Sequence, residues 1–422
     1  MRASRLGWRV LLSALLPVTA CFFSGCSASH TPSNQQSTIE STVDGAVKAY
    51  VLTSGVPAVT VALAQNGKII YAQGYGYSDV STKQAATPSD IFEIGSITKR
   101  FTAAIIMKLQ EQGKLHVDDS MATYLSQYAF PSAITLRMLL THTSGLANYT
   151  AFPQFSGWSS DGVSEGTVLT AVSQAPLLFA PGAEYSYSNS NYFALGAIIE
   201  AVTGQSYETN LDQYIIHPLG LQNVYYELPP VALTATGYDN SAGPVAPVTP
   251  WVRSSAFAAG ALSTNVYDLV TWENALMNGQ VVSPASFREM TTSNGFVSNG
   301  QSYGFGLALE TYNGHPVMWH NGGIAGYLTQ ELVFLDSGVT LVEFTNLDTI
   351  DLNLGFVNIL DAVCGSSQLS GACGPTQGTT AQQMVDEKNS LLHVHYGSES
   401  LKSLSSRSSS ISSQMNPPKT IA

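Results

Sequence analysis

The sequence predicts an α/β (α+β) fold: an antiparallel sheet assembled from both ends of the chain, flanked by helices, with a mainly helical layer inserted between its two halves. Three observations lead there. A helical period followed directly by a hairpin signal opens the folded part, a long stretch with Pro/Gly punctuation and several helical pieces fills the middle, and strand-like runs return late. Bringing early and late strands into one sheet is the simplest architecture for that order.

Taken in order, Thr38 to Thr53 places Ile39, Val43, Val47 and Val51 four residues apart, the apolar stripe of a helix that packs on a sheet. Ala58 to Ala64 and Lys68 to Gln73 are β-rich runs joined across Asn66-Gly67, a pair that accepts the positive φ angles of a tight hairpin turn. From Ser96 to Gln112 the pattern is helical, with Ala103, Ile105, Ile106 and Leu109 on its apolar surface and Gly113 as its stop. Asp118 to Gly260 forms the helical layer and includes the pieces Phe193 to Thr203 and Tyr207 to Tyr214. Tyr303 to Glu310, Val317 to His320, Leu328 to Leu335 and Val339 to Asn346 read as strands, with turns at Asn313-Gly314 and Asp336-Ser337-Gly338. Beyond Gly374 the Gln/Ser-rich composition offers too little apolar surface to order itself. The expected organisation is a signal segment 1–26, a polar linker 27–37, one domain 38–375 and a flexible tail 376–422.

Composition narrows the setting. Of the 422 residues 44% are hydrophobic and only 11% charged, so the surface is covered mainly by uncharged polar side chains, which fits a secreted protein. The net charge of -12, without basic runs interleaved with aromatics, speaks against nucleic acid as a partner. Arg2, Arg5 and Arg9 precede the apolar stretch Val10 to Phe23, the layout of an export signal. Export places the protein in the periplasm or outside the cell. Cys21 and Cys26 each follow small residues in the manner of bacterial lipoprotein signals, which would add a lipid anchor; an ordinary cleaved signal with incidental cysteines is the alternative. Cys364 and Cys373 are close in sequence, and in an oxidising compartment a local disulfide fits them, free buried thiols being the other reading. No Cys/His spacing suggests a metal and no cofactor motif is present; His393 and His395 lie in a polar tail. Oligomeric state is not legible.

The chemistry centres on Ser96-Ile97-Thr98-Lys99. On a helix, positions i and i+3 share a face, so the Lys99 amine can act as base to the Ser96 hydroxyl, and a helix start after Gly95 aims N–H groups at a developing oxyanion. The spacing alone is a weak signal, and a capping serine near a solvated lysine is the plain alternative. Here no other lysine has a serine three residues before it. The single Gly-x-Ser-x-Gly match, Gly300 to Gly304, leads into a strand where a nucleophile elbow needs a helix.

With Phe92 to Thr102, the segments Leu139-Leu140-Thr141-His142-Thr143-Ser144-Gly145, Tyr187-Ser188-Asn189, His217-Pro218-Leu219-Gly220-Leu221, Gly260 to Asp268 and Trp319 to Tyr327 follow in order. Together they resemble the β-lactamase-like serine hydrolases, the family of class C β-lactamases, D-alanyl-D-alanine carboxypeptidases, D-stereospecific peptidases and related esterases, over about Thr38 to Asp348. The resemblance implies the β-lactamase/transpeptidase-like fold and an acyl-enzyme on Ser96, cleaving an amide or ester such as a D-alanyl peptide, ester or β-lactam at the cell envelope. It implies that Lys99 and Tyr187 move the proton, that Asn189 binds Lys99 and the substrate amide, and that the N–H groups of Ser96 and Gly323 form the oxyanion hole. The third motif, usually Lys-Thr-Gly or His-Thr-Gly, is His320-Asn321-Gly322 here, with all three residues assigned to substrate binding. His320 would attract a carboxylate only partly near pH 7, which puts efficient β-lactam hydrolysis in doubt. His142 and His315 match no catalytic position of the family and are read as structural. The alternative function is a penicillin-binding sensor or scaffold that acylates but barely turns over.

Overall fold

The computed structural model describes residues 36–393 except 227, 230, 232, 233, 294–296, 299 and 300. The signal segment, the linker up to residue 35, Cys21, Cys26 and residues 394–422 lie outside the described residues.

The first helix, α1 (Gln36–Ser54), is followed by β1 (Ala58–Gln65), β2 (Lys68–Asp79) and β3 (Gln84–Ala85). Asn66 and Gly67 have φ of 51° and 74°, the conformation that the hairpin signal requires. The late strands are β4 (Val297–Ser298), β5 (Gln301–Tyr303), β6 (Ala308–Tyr312), β7 (His315–Ile324), β8 (Tyr327–Phe334) and β9 (Val339–Thr345). They join the early ones in one nine-stranded sheet, ordered β3-β2-β1-β9-β8-β7-β6-β5-β4. β1 pairs antiparallel with β9, Val61 opposite Glu343, so the two ends of the chain meet in the sheet as expected.

One expected strand is broken. Tyr303 to Glu310 does not run through: β5 ends at Tyr303 and β6 begins at Ala308. Gly306, at φ 74°, leaves no room for a Cβ, which would sit 2.7 Å from the Lys99 carbonyl, so the chain turns there to let the helix backbone approach. β6 then pairs with β7 only as far as Trp319.

Alternation along the strands divides the core in two. Val59, Val61, Leu63, Leu332 and Leu341 face α1, through Ile39, Val43 and Val47, and α5 (Leu352–Cys364), through Phe356 and Leu360. Ala62, Ala64, Val342 and Phe344 face α2 (Thr98–Glu111) and α4 (Val266–Met277), where Phe101 stacks on Trp272 at 4.1 Å. Each fully buried Val, Leu, Ile or Phe side chain contributes about 1.5–3 kcal/mol. Between α2 and α4 the chain forms the helical layer, including α3 (Asn189–Thr203).

The C-terminal boundary differs from expectation. Residues 381–393, assigned to a flexible tail, form α6 (Ala381–His393). Leu391 is buried among the α1/α5 face, Lys388 pairs with Asp361 and the Thr311 hydroxyl donates to Glu387 at 2.8 Å. A few anchors on one face order a helix whose composition is mostly polar. Cys364 and Cys373 form a disulfide.

Candidate active site

Ser96 sits in a short 3-10 turn, Gly95–Ile97, that leads into α2. Backbone packing fixes that turn. Ile94 donates to the Leu262 carbonyl at 2.9 Å, and its own carbonyl accepts from the Thr329 hydroxyl at 3.0 Å. A Cβ on Gly322 would lie 1.9 Å from the Ile94 oxygen, and one on Gly95, at φ 49°, would lie 2.8 Å from the Gly323 nitrogen. The turn and β7 therefore touch backbone to backbone, which brings Gly323 to the wall of the cleft that Ser96 also lines.

Lys99 and Tyr187 both reach the nucleophile. The Lys99 Nζ lies 2.9 Å from the Ser96 Oγ, and the Tyr187 hydroxyl donates to the same oxygen at 2.8 Å. Ser96 is 4% exposed and Lys99 fully buried. Lys99 also meets the Asn189 Oδ1 at 2.8 Å and the Ala259 carbonyl at 2.7 Å, and among the described residues no carboxylate touches it. Burial pushes its pKa well below the ordinary lysine value. The contacts suit the neutral amine: two oxygens that can only accept take its two N–H bonds, and the lone pair is left for the Ser96 hydroxyl proton. The expected convergence of Ser96, Lys99, Tyr187, Asn189 and Gly323 is present.

Asn189 is placed by partners that the sequence did not single out. Its N–H donates to the Asn148 Oδ1 at 3.1 Å, its Nδ2 to the Thr150 hydroxyl at 3.3 Å. Ala259 contributes through a carbonyl, which side-chain patterns cannot show; its place just before Gly260, in a segment of the family order, was the only signal.

The third motif departs from its expected role. His320 is fully buried: Nδ1 donates to the Asn321 carbonyl at 2.5 Å, and Nε2 accepts from the Tyr303 hydroxyl at 2.8 Å. Burial, then the nearby Lys99, hold its pKa well below the usual histidine range. It is a neutral ring enclosed beside Tyr187, centroids 6.3 Å apart, and does not present a charge to the cleft. Asn321 stands opposite Gln330, which stands opposite Glu343 and then Val61, a row on the α1/α5 face, away from Ser96. Gly322 acts as a gap for the Ile94 carbonyl. None of His320, Asn321 and Gly322, expected as substrate-binding residues, lines the cleft in this structure.

What does line the cleft, about 340 Å³ with its open mouth, is Tyr149, Thr150, Trp251, Ile324, Ala256, Ala259 and Gly260, beside Ser96, Asn189 and Gly323. None is charged. Arg253, behind the wall, is committed to Glu93 at 2.7 Å. Among the described residues no group of His, Cys, Asp and Glu could hold a metal ion.

Comparison with known proteins agrees with this geometry. The family model described as Beta-lactamase matches residues 41–362. The chain is 29% identical over 265 residues to a putative penicillin-binding protein, PbpX, of Bacillus subtilis (strain 168), covering 61% of this chain and 64% of that protein. It is 27% identical over 325 residues to a D-aminopeptidase of Brucella anthropi, covering 74% of this chain and 61% of that protein. It therefore spans just under two thirds of each of these relatives. Among solved structures, a D-stereospecific amidohydrolase from Streptomyces sp. superposes with a TM-score of 0.69 at 27% identity, over 78% of this chain and 99% of that one. D-amino acid amidase from Ochrobactrum anthropi SV3 superposes with a TM-score of 0.70 at 25% identity, over 78% of this chain and 99% of that one. The nucleophile turn, its buried lysine and the nine-stranded sheet are those of a serine hydrolase, and this chain belongs to the beta-lactamase family.

Proposed function

We propose that this protein cleaves the amide or ester bond of a small substrate that has an apolar side chain on its acyl group and no free carboxylate, such as a D-amino acid amide or ester, through an acyl-enzyme on Ser96. The observation that carries this is that a buried amine and a phenol both lie within hydrogen-bond reach of the Ser96 hydroxyl. Lys99 takes the Ser96 proton as the oxygen attacks, and the Ser96 and Gly323 N–H groups receive the oxyanion. Tyr187 gives its own hydroxyl proton to the leaving group and regains one from the water that releases the acyl chain, while Lys99 returns its proton to the departing Ser96 oxygen. The aromatic and aliphatic lining of Tyr149, Trp251 and Ile324 favours an apolar acyl group, and the lack of a lining cation disfavours a substrate carboxylate.

Ser96→Ala is the direct test. Turnover and labelling by a fluorophosphonate should vanish while the protein still folds; labelling that survives moves the nucleophile elsewhere. Intact mass after a nitrophenyl ester and after penicillin separates hydrolase from sensor: a persistent adduct with both, without turnover, would leave a penicillin-binding sensor as the better reading.

The proposal includes export. The basic-then-apolar N-terminus supports it, as does the Cys364–Cys373 disulfide, which persists in oxidising compartments. Lipid anchoring through Cys21 or Cys26 is tested by changing each to Ser: one change should release the protein from the membrane fraction, and release by neither leaves an ordinary cleaved signal.

A further inference from the structure

His142 lies just beyond the short helix Leu136–Leu140, at a φ of 57°, a conformation that non-glycine residues adopt only where the surroundings impose it. The surroundings are those of Tyr187. The Ser186 N–H donates to the His142 carbonyl at 3.0 Å, and the Ser188 N–H to its Nδ1 at 3.2 Å. Between those two bonds the imidazole lies against the Tyr187 ring, centroids 4.4 Å apart and planes 39° apart. One residue thus holds the peptide on both sides of the phenol that reaches Ser96.

A second chain of bonds sets which nitrogen carries the proton. The Ser144 Oγ accepts from the Leu146 N–H at 3.0 Å, so its own proton goes to the Asn191 Oδ1, 2.5 Å away. That orients the Asn191 Nδ2 toward the His142 Nδ1 at 2.9 Å. Nδ1 therefore faces two donors and must be the acceptor, with the proton on Nε2. The titratable groups around it are Lys99, His320, Tyr185, Tyr187, Tyr192 and Tyr303. Burial keeps the ring neutral and hence able to accept.

We propose that His142 is a positioning residue of the reaction, setting the Tyr187 hydroxyl at the Ser96 oxygen by accepting the N–H bonds of Ser186 and Ser188. It touches no substrate. A core histidine that only fills space would be replaced without consequence by another ring. The inference rests on Tyr187 serving in proton transfer.

Two substitutions separate the acceptor from the ring. In His142→Asn the Oδ1 takes the place of Nδ1 along the side chain, and Asn tolerates the left-handed backbone. In His142→Phe the ring stays and the acceptor goes. His142→Phe should lower kcat roughly 10- to 100-fold, as misplacing a reacting group by an ångström does, with KM little changed, while His142→Asn stays within about threefold of wild type. In a Tyr187→Phe background, His142→Phe should change kcat by less than about twofold, because the group it positions is gone. A wild-type kcat in His142→Phe, or a full multiplicative loss in the double variant, overturns the proposal. An unchanged rate in Tyr187→Phe alone would instead remove the proton-transfer reading beneath it. Should His142→Phe fail to fold, Asn191→Asp offers a same-sized route: its carboxylate draws the proton onto Nδ1 and turns the acceptor into a donor. The same kcat loss, absent in the Tyr187→Phe background, supports the proposal, and wild-type kcat overturns it.

Discussion

Two cations follow one another at the start of α2, both out of reach of water, and their partners differ in kind. Lys99 meets a hydroxyl, an amide oxygen and a peptide carbonyl. Arg100 meets two carboxylates, Glu273 at 2.6 Å and Glu331 at 2.6 Å. Burial disfavours the charge of both, but around Arg100 Glu273 and Glu331 outweigh it and hold its pKa above the ordinary value, whereas nothing compensates Lys99. On the proposed mechanism the same helix turn therefore holds a base and a bolt. What decides between them is the presence of a counter-ion: with one, a buried cation ties α2 to α4 and β8; without one, it gives up its proton and becomes chemistry.

The largest effect that sharpens this contrast is Lys99→Arg, which puts a permanent cation in place of the amine and removes the lone pair. Turnover should fall on the order of 10²–10⁴-fold, measured as kcat/KM on a neutral ester. A rate close to wild type would mean that positive charge, not basicity, is what Ser96 needs. Arg100→Met acts on the other member. It leaves Glu273 and Glu331 buried without their partner and should cost about 3–5 kcal/mol in urea unfolding, while kcat of the folded enzyme changes little. A large kcat loss at unchanged stability would break the division of labour. Tyr187→Phe comes next, with kcat down about 10²-fold and melting temperature nearly unchanged.

The smallest effect is in the pH dependence of stability, where the two kinds of buried group have opposite signs. The Lys99 amine titrates lower in the fold than the 10.5 of a free lysine, so the unfolded chain binds more protons over that window and stability rises with pH through it. Burial raises Glu343, which meets no counter-ion among the described residues, from 4.5 to about 8; its contribution is full below about 4.5 and is lost as pH rises through about 8. In urea unfolding across pH, Lys99→Met should remove a rising slope and Glu343→Gln a falling one. Parallel profiles for both variants and the wild type would show that neither group changes its proton on folding.

How far the sequence reached depends on what each feature is made of. The sheet from two chain ends was legible in the period of Val59 to Leu63 and the Asn66-Gly67 turn, because alternation and φ preference are local. Ser96, Lys99, Tyr187 and Asn189 were legible because the resemblance fixes their order along the chain. The inward orientation of His320 was not, since it depends on a hydroxyl from Tyr303, a strand away and beyond a turn that pattern reading did not foresee. Nor was the role of the Ala259 carbonyl, which any residue could supply. His142 was set aside as structural because it matched no reacting position; what marks it is a hydrogen-bond geometry around Tyr187 that exists only once the helix Leu136–Leu140 and α3 are packed together. The C-terminal helix α6 was hidden by composition, its order coming from Leu391 and Lys388 against β6 and α5.

The contact between Gly322 and the Ile94 carbonyl sets a limit on how this site can change. On the proposed mechanism the place where a scissile carbonyl comes to rest is set by backbone, because Gly95 and Gly322 let the nucleophile's turn and β7 meet peptide against peptide. Replacing Tyr149, Trp251 or Ile324 can therefore alter which acyl groups are admitted while leaving unmoved the point at which their carbonyl comes to rest. A lineage of such enzymes could drift widely in diet and still inherit the same frame of attack, for as long as those two glycines, Gly95 and Gly322, stay bare.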